Sequence, residues 1–360
     1  LWRVASRSCG SDDGNRVVLE ATNNGTSRTR TQKNGMHAGR GHPECRFVAG
    51  HTGHVIRALL NWVGASRGAE ARDAVAGGYT SFKTKPRPWW DIVEQIGAIC
   101  KVVPAHFKLD LDPNATWQNA ATAIPIIKKL ERYDNVAMYE TPIPQHDVLG
   151  NHQIRATINR PIAMHFGSPP YITQVREEVC DGYVICAGKS QVMRQGTLSA
   201  EAEMPFWLQL VGNGLTTTMA AHIGAVHSHA QLPYITCHEL WVDDLIKKPI
   251  AVENGYMPVP DAPGLGVEID EKALAKYRVD PDQPTPTHIY KAKKRILRVS
   301  WPGAGRKKRV WEFTSEPNYQ TSFYAGNIPG FEKDVDLEVI EDDGSDGFRK
   351  EHADLTRQGL

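Results

Sequence analysis

Residues 77–91 read GGYTSFKTKPRPWWD, residues 106–117 read HFKLDLDPNATW, and residues 135–147 read NVAMYETPIPQHD. Each is a short apolar run that ends on charged groups: Lys83 and Lys85, then Asp110 and Asp112, then Glu140. A strand buried on both faces reads as continuous Val, Ile, Leu and Phe, so charges at its C-terminal end are expected only where it opens into a cleft. Three successive strands ending this way imply one polar site. Lysines beside carboxylates from neighbouring strands can hold a divalent metal ion and remove a proton from the carbon next to a carboxylate.

Working outward, the same strand and helix alternation persists to about residue 245. Strands are expected at TSFKTK, HFKLDLD, NVAMYE, PIAMHF, GYVICA, FWLQLV and PYITCH. Helical patterns lie between them, from WWDIVEQIGAICKVV to GLTTTMAAHIGAVHSHA, and AEARDAVAGGY reads as a helix that stops at Gly77-Gly78. The strand ends recur every roughly 20 to 30 residues, the length of one strand, loop and helix in a (β/α) barrel. No G-x-G-x-x-G follows any strand, which removes the usual dinucleotide-binding fingerprint. The expected fold is therefore α/β, a closed TIM-like barrel. Lys83, Lys85, Asp112, Glu140, His165, Gln209 and His238 fall at its strand ends.

The flanks are less regular. Residues 1–53 are rich in Gly, Ser, Asn, Arg and His; RVVLEATNNGT suits a strand entering a tight turn, and SRTRTQKNGMHAGRGHPE suits a loop. His37, His42, His51 and His54 share no helix or strand spacing and read as solvated loop histidines. Residues 54–280 make the barrel domain. Residues 281–360 make an extension, expected to pack on the cap or the barrel. It opens with a Pro-rich linker, DPDQPTPT, and continues as KAKKRILRVSWPGAGRKKRVWEF, which alternates like a hairpin around Pro302-Gly303-Ala304-Gly305. The basic hairpin and the acidic FEKDVDLEVIEDDGSD after it read as solvated faces of complementary charge.

A chain of 360 residues with 41% hydrophobic and 23% charged residues can bury a large core. Its formal net charge of +1 offers no bulk attraction to nucleic acid or membrane. No run of about 18 apolar residues suggests a transmembrane helix. The N-terminus has neither the apolar core of a secretory signal nor an initiator Met, so the chain reads as a fragment or processed form. Cys9, Cys45, Cys100, Cys180, Cys186 and Cys237 form no Cys-x-x-Cys pair, which points to reduced thiols and a cytoplasmic protein. The expected partner is a small-molecule carboxylate substrate. Self-association into a homo-oligomer stays open.

At the strand ends the sequence resembles the enolase superfamily, in its mandelate racemase and muconate lactonizing enzyme group, over about residues 71–279. The markers are the K-x-K of FKTK, the D-x-N of LDPNATW, the E-x-P of YETPIPQHD, the strand start CDGYVICAG and the closing PDAPGLGVEID. The resemblance implies a modified (β/α)7β barrel under an α+β capping domain, which is truncated or atypical here. It implies Mg²⁺, with Mn²⁺ as the other candidate, and abstraction of an α-proton to give an enolate. Lys85 is then the base, and Lys83 tunes it and meets the substrate carboxylate. Asp112, with Asn114 and Trp117 at the family's spacing, is a metal ligand, with Asp110 as its rival, and Glu140 is the second ligand; Asn114 and Asp181 are expected to bind substrate.

The resemblance also has departures. His165 stands where the third carboxylate ligand belongs and is the third candidate metal ligand, although imidazole is a softer donor than Mg²⁺ prefers and suits Mn²⁺, Fe²⁺ or Zn²⁺ better. Asp181 matches one half of a racemase His-Asp dyad, but Gln209 stands where its histidine belongs. Val184 stands where other members carry a second lysine. Inversion needs a proton acceptor on each face, so the favoured reaction is one-base dehydration of an acid sugar, with His238, Glu239 or His165 assisting the leaving hydroxyl and Gln209 binding substrate. A one-base racemase or epimerase and a weakly catalytic binding barrel are the alternatives.

Overall fold

A computed structural model describes residues 2–4, 19–21, 44–50, 64–236, 238, 241–248, 251–279, 294–302 and 307–360. In chain order the elements begin β1 (Trp2–Val4), β2 (Leu19–Ala21), β3 (Glu44–Gly50), α1 (Gly64–Ala76), β4 (Ser81–Thr84), α2 (Ile92–Cys100), β5 (Lys108–Leu111), α3 (Ala120–Leu130), β6 (Val136–Glu140) and α4 (Val148–Thr157). They continue β7 (Ile162–His165), α5 (Tyr171–Arg176), β8 (Gly182–Ile185), α6 (Lys189–Glu201), β9 (Phe206–Leu208), α7 (Gly214–Val226), β10 (Tyr234–Thr236), β11 (Tyr256–Pro258) and α8 (Glu271–Tyr277). Last come β12 (Arg295–Trp301), β13 (Arg309–Phe313), α9 (Glu316–Tyr324), β14 (Asp336–Glu341) and α10 (Asp346–Gln358).

Each strand expected between residues 79 and 238 is present. Sequence reading missed β3, which follows the segment read as loop within the irregular N-terminal region. It pairs in parallel with β10, Phe47 opposite Tyr234, and antiparallel with β11, Cys45 opposite Met257. Its seven residues lie in Gly-rich polar sequence with no helix pattern beside them, so its identity as a strand rests on distant partners. The loop histidines 37, 42, 51 and 54 and the Pro-rich linker lie outside the described residues.

The chain forms two compact units, one of Leu1–Gly50 with Ala163–Arg278 and the other of His51–Ile162 with Val279–Leu360. In the second unit β4, β5 and β6 run parallel, with Lys83 opposite Asp110 and Thr84 opposite Leu111. The helices after them are amphipathic at i, i+3, i+4 spacing: α2 buries Ile92, Ile96 and Ile99, and α3 buries Ala123, Ile126, Ile127 and Leu130. Each helix starts on a side-chain cap. Asp91 accepts from the Val93 and Glu94 amides, Asn119 from Thr122, and Asp147 from Gly150.

The extension belongs to this unit. β12 and β13 pair antiparallel as the expected hairpin, and β14 adds to the other edge of β12. Its aromatic residues pack against the chain that leaves β4. Tyr319 meets the Trp89 ring edge-on at 5.0 Å, and Phe331 lies 6.3 Å from Trp117. The Phe331 amide donates to the Pro88 carbonyl at 2.8 Å.

In the first unit β7, β8 and β9 run parallel, with Met164 opposite Tyr183 and Tyr183 opposite Phe206. Among the described residues no helix is long and apolar enough to cross a membrane, and Cys100 is a free thiol. The helix α7 comes close to β10 at Gly224, where an added Cβ would stand 2.2 Å from the Tyr234 ring. Overpacking of this kind costs about 1–3 kcal/mol. Gly224→Ala is therefore expected to lower the unfolding free energy by that amount, read as a lower urea midpoint; an unchanged midpoint would show that Tyr234 yields freely.

Candidate active site

Lys83 lies within β4, and Lys85 and then Arg87 continue its two-residue spacing just beyond the strand. Because β4, β5 and β6 are parallel, their C-terminal ends lie at one edge. There Asp112 follows β5 directly and Glu140 is the last residue of β6. The β5–β6 register shifts between Leu109 and Asp110, a bulge of the kind that re-aims side chains beside active sites.

Lys83 is wholly buried. Its ammonium donates to Glu140 Oε2 and stands 3.1 Å from Asp112 Oδ2. Lys85, 15% exposed, donates to the same Asp112 oxygen. Asp112 is held from its other side by Asn114, whose backbone amide donates to Oδ1 at 3.0 Å and whose side-chain amide donates to Oδ2 at 3.3 Å. Arg87 completes the chain, donating to Asn114 Oδ1 at 3.1 Å and to the Pro113 carbonyl at 3.5 Å. Asn114 sits at φ +51°, a left-handed conformation that asparagine tolerates better than most residues.

The electrostatics separate the two lysines. Burial opposes the charge on Lys83, but Glu140 and Asp112 outweigh it and hold the ammonium above lysine's ordinary pKa. Burial lowers the pKa of Lys85; Asp112 opposes the shift, and the cations Lys83 and Arg87 reinforce it. Burial also pushes the Asp112 carboxyl up, yet Lys85 and Lys83 prevail and keep it well below the carboxylate range. Asp110 goes the other way. Burial, then Glu140 and Asp112, raise it well above that range against the pull of Lys83, and its Oδ1 is buried without a hydrogen-bond partner. Asp112 is thus the ionised anchor of the site.

The structure brings together Lys83, Lys85, Asp112, Glu140 and Asn114 of the expected set. Asn114, expected to bind substrate, has its side chain engaged by Asp112 and Arg87, so it is a positioning residue. Sequence reading missed Arg87; the signal was its place two residues beyond Lys85 on the same alternation.

The remaining expected residues belong to the first unit. His165 ends β7, and its carbonyl accepts from Gln174 Nε2 at 2.9 Å. Gln209 follows β9, its amide donating to the Ile185 carbonyl at 2.9 Å. His238 Nδ1 lies 3.3 Å from Thr217 Oγ1, and burial lowers its pKa against the pull of Asp244. Asp181 precedes β8, at the opposite end of the parallel strands from His165 and Gln209, so it is not assigned to a site at their C-terminal ends. Glu239 lies outside the described residues.

The donors suit a hard divalent ion. Asp112 and Glu140 already converge on one cation, the Lys83 ammonium, and Mg²⁺ is commonly held by one or two carboxylates with water completing its shell. Among the described residues no cluster of three His, Cys, Asp or Glu is arranged to hold a metal ion.

Breaking a buried ion pair from one side costs about 3–5 kcal/mol, because it strands the other charge. Glu140→Leu is expected to destabilise the chain by that amount in urea unfolding. The double variant Lys83→Met/Glu140→Leu is expected to recover most of the loss; equal losses in the two variants would contradict the pairing.

The enolase C-terminal domain-like family model matches residues 66–273. An o-succinylbenzoate synthase from Geobacillus kaustophilus is 26% identical over 222 residues, covering 56% of this chain and 55% of its own. An L-talarate/galactarate dehydratase from Salmonella typhimurium is 24% identical over 185 residues, covering 50% of this chain and 45% of its own. The chain thus spans about half the length of the curated relatives it matches. A racemase from Streptomyces coelicolor, solved with bound magnesium, superposes with a TM-score of 0.55 at 23% identity, over 66% of this chain and 64% of its own, a likeness that shows the shared α/β barrel-type fold. With the family matched over more than half its length, and with K-x-K, D-x-N and Glu140 at three adjacent strand ends, the chain belongs to the enolase superfamily, in its mandelate racemase and muconate lactonizing enzyme group.

Proposed function

We propose that the chain dehydrates a hydroxylated carboxylic acid of the acid-sugar class, with Lys85 as the base. The observation that carries this is the division between the two lysines: Lys83 is fully enclosed by Glu140 and Asp112, and Lys85 keeps an exposed face. A base must reach the proton it takes, and of these two amines Lys85 has the access.

In the neutral form, Lys85 takes the proton on the carbon beside the substrate carboxylate. The C–H electron pair moves into the carboxylate as an enolate, then returns to form a carbon–carbon double bond as the β C–O bond breaks. The hydroxyl takes up a proton and leaves as water, and the resulting enol becomes a 2-keto acid. Asp112 holds the Lys85 amine in place, and the Lys83 ammonium contributes positive charge near the strand ends. Asp112 and Glu140 would hold a divalent ion, Mg²⁺ or Mn²⁺, which when bound supplies a Lewis acid for the carboxylate oxygens.

Dehydration is favoured over racemisation by the positions where related enzymes carry a second base. Val184 is a buried aliphatic residue within β8, and Gln209 has an amide that takes no proton near neutral pH. Dehydratases among the relatives support the same reading. The test is a screen of aldonic and aldaric acids, galactarate included, with Mg²⁺ and with Mn²⁺, following 2-keto acid formation. The expected result is keto product from at least one acid, lost on chelation of the metal and restored by adding it back. Keto product from no acid in the screen, or turnover indifferent to chelation, would sink the proposal.

A further inference from the structure

We infer that the Lys83 ammonium is the built-in occupant of the cation position between Asp112 and Glu140, and that a divalent ion reaches these carboxylates only by displacing it. The inference rests on the reading of Asp112 and Glu140 as the metal's holders. All four residues of β4 are buried, so the Lys83 backbone is held firmly and its amine is delivered to one place. That place is in contact with Glu140 Oε2 and 3.1 Å from Asp112 Oδ2, with side-chain exposures of 0% for Lys83 and Glu140 and 1% for Asp112.

An ammonium and a hard metal ion need the same oxygen lone pairs. They also repel each other strongly at short range where water is excluded. The neighbourhood is already well supplied with positive charge, since Lys85 pairs with the same Asp112 oxygen and Arg87 is tied to Asn114 behind it. Adding a dication while Lys83 stays in place would crowd three cationic groups, the dication, Lys83 and Lys85, onto Asp112 and Glu140. The Lys83 side chain has four flexible methylenes, so its amine can withdraw without moving the backbone. The binding-competent form is then a minority of the metal-free protein, and apparent metal affinity falls by that fraction.

The test is Mn²⁺ binding to the full chain, read by the electron paramagnetic resonance signal of free Mn²⁺, in wild type and Lys83→Met at one pH. If the competent form is under about a tenth of the population, Lys83→Met binds Mn²⁺ more than about tenfold more tightly than wild type. Adding Glu140→Gln is expected to remove the gain. A smaller gain, no gain or a loss overturns the inference and leaves the metal reading standing. If neither protein binds Mn²⁺, both fall.

Should Lys83→Met fail to fold, acetylation of wild type by acetic anhydride, read by mass spectrometry, decides the matter. Lys83 is expected to be protected without metal and to become acetylated several-fold faster with saturating Mn²⁺, with exposed Lys247 unchanged as the reference. Equal protection with and without Mn²⁺ overturns the inference.

Discussion

A lysine ammonium with no exposed surface is tolerable only where carboxylates meet it, and the second unit is arranged to supply them. Lys83 lies inside β4, Asp112 directly after β5 and Glu140 at the end of β6. Only parallel strands in this register bring three residues so distant in sequence to one edge. An ion pair of this depth gains little stability over a well-packed apolar core, because desolvation offsets the Coulombic attraction. Its consequence is chemical. With Lys83 held as a cation by Glu140 and Asp112, Lys85 two residues on becomes the amine that is both reachable and easier to deprotonate.

The segment that follows Lys85 is held from behind. Trp89 and Trp90 are buried, and Tyr319, Phe323 and Phe331 of the extension pack around the Pro-Arg-Pro-Trp-Trp run. Gly330 fits because it lacks a side chain; a Cβ there would stand 2.2 Å from the Phe323 ring and 2.9 Å from Pro88. Arg87 links this packing to the polar site, since its guanidinium reaches Asn114, which orients Asp112. Positioning of this kind matters because catalytic groups work only when held within a fraction of an ångström of a productive geometry.

Much of the site could be read in the sequence because its signal is local. An apolar run that ends on Lys-x-Lys, Asp-x-Asp or Glu is unusual enough to mark a strand opening into a polar site, and the strands lie where those runs fall. The rest depends on partners the sequence does not name. The strand at Glu44–Gly50 is defined by pairing with residues about 190 and 210 positions later. Asn114 has the right type and spacing for a substrate ligand, and only the fold reveals that Asp112 and Arg87 engage its amide. Asp181 shares a motif with site residues, yet the strand direction puts it at the far end.

The most direct test of the division of labour between the two lysines follows the α-hydrogen itself. A hydroxylated carboxylic acid that the protein turns over is incubated in D₂O with Mg²⁺, and loss of its α-hydrogen signal is followed by proton NMR for wild type and Lys85→Ala. The account predicts that wild type removes the α-hydrogen and that Lys85→Ala, folded as judged by circular dichroism, does so about 10²–10⁴-fold more slowly. Removal by Lys85→Ala at the wild-type rate would contradict it.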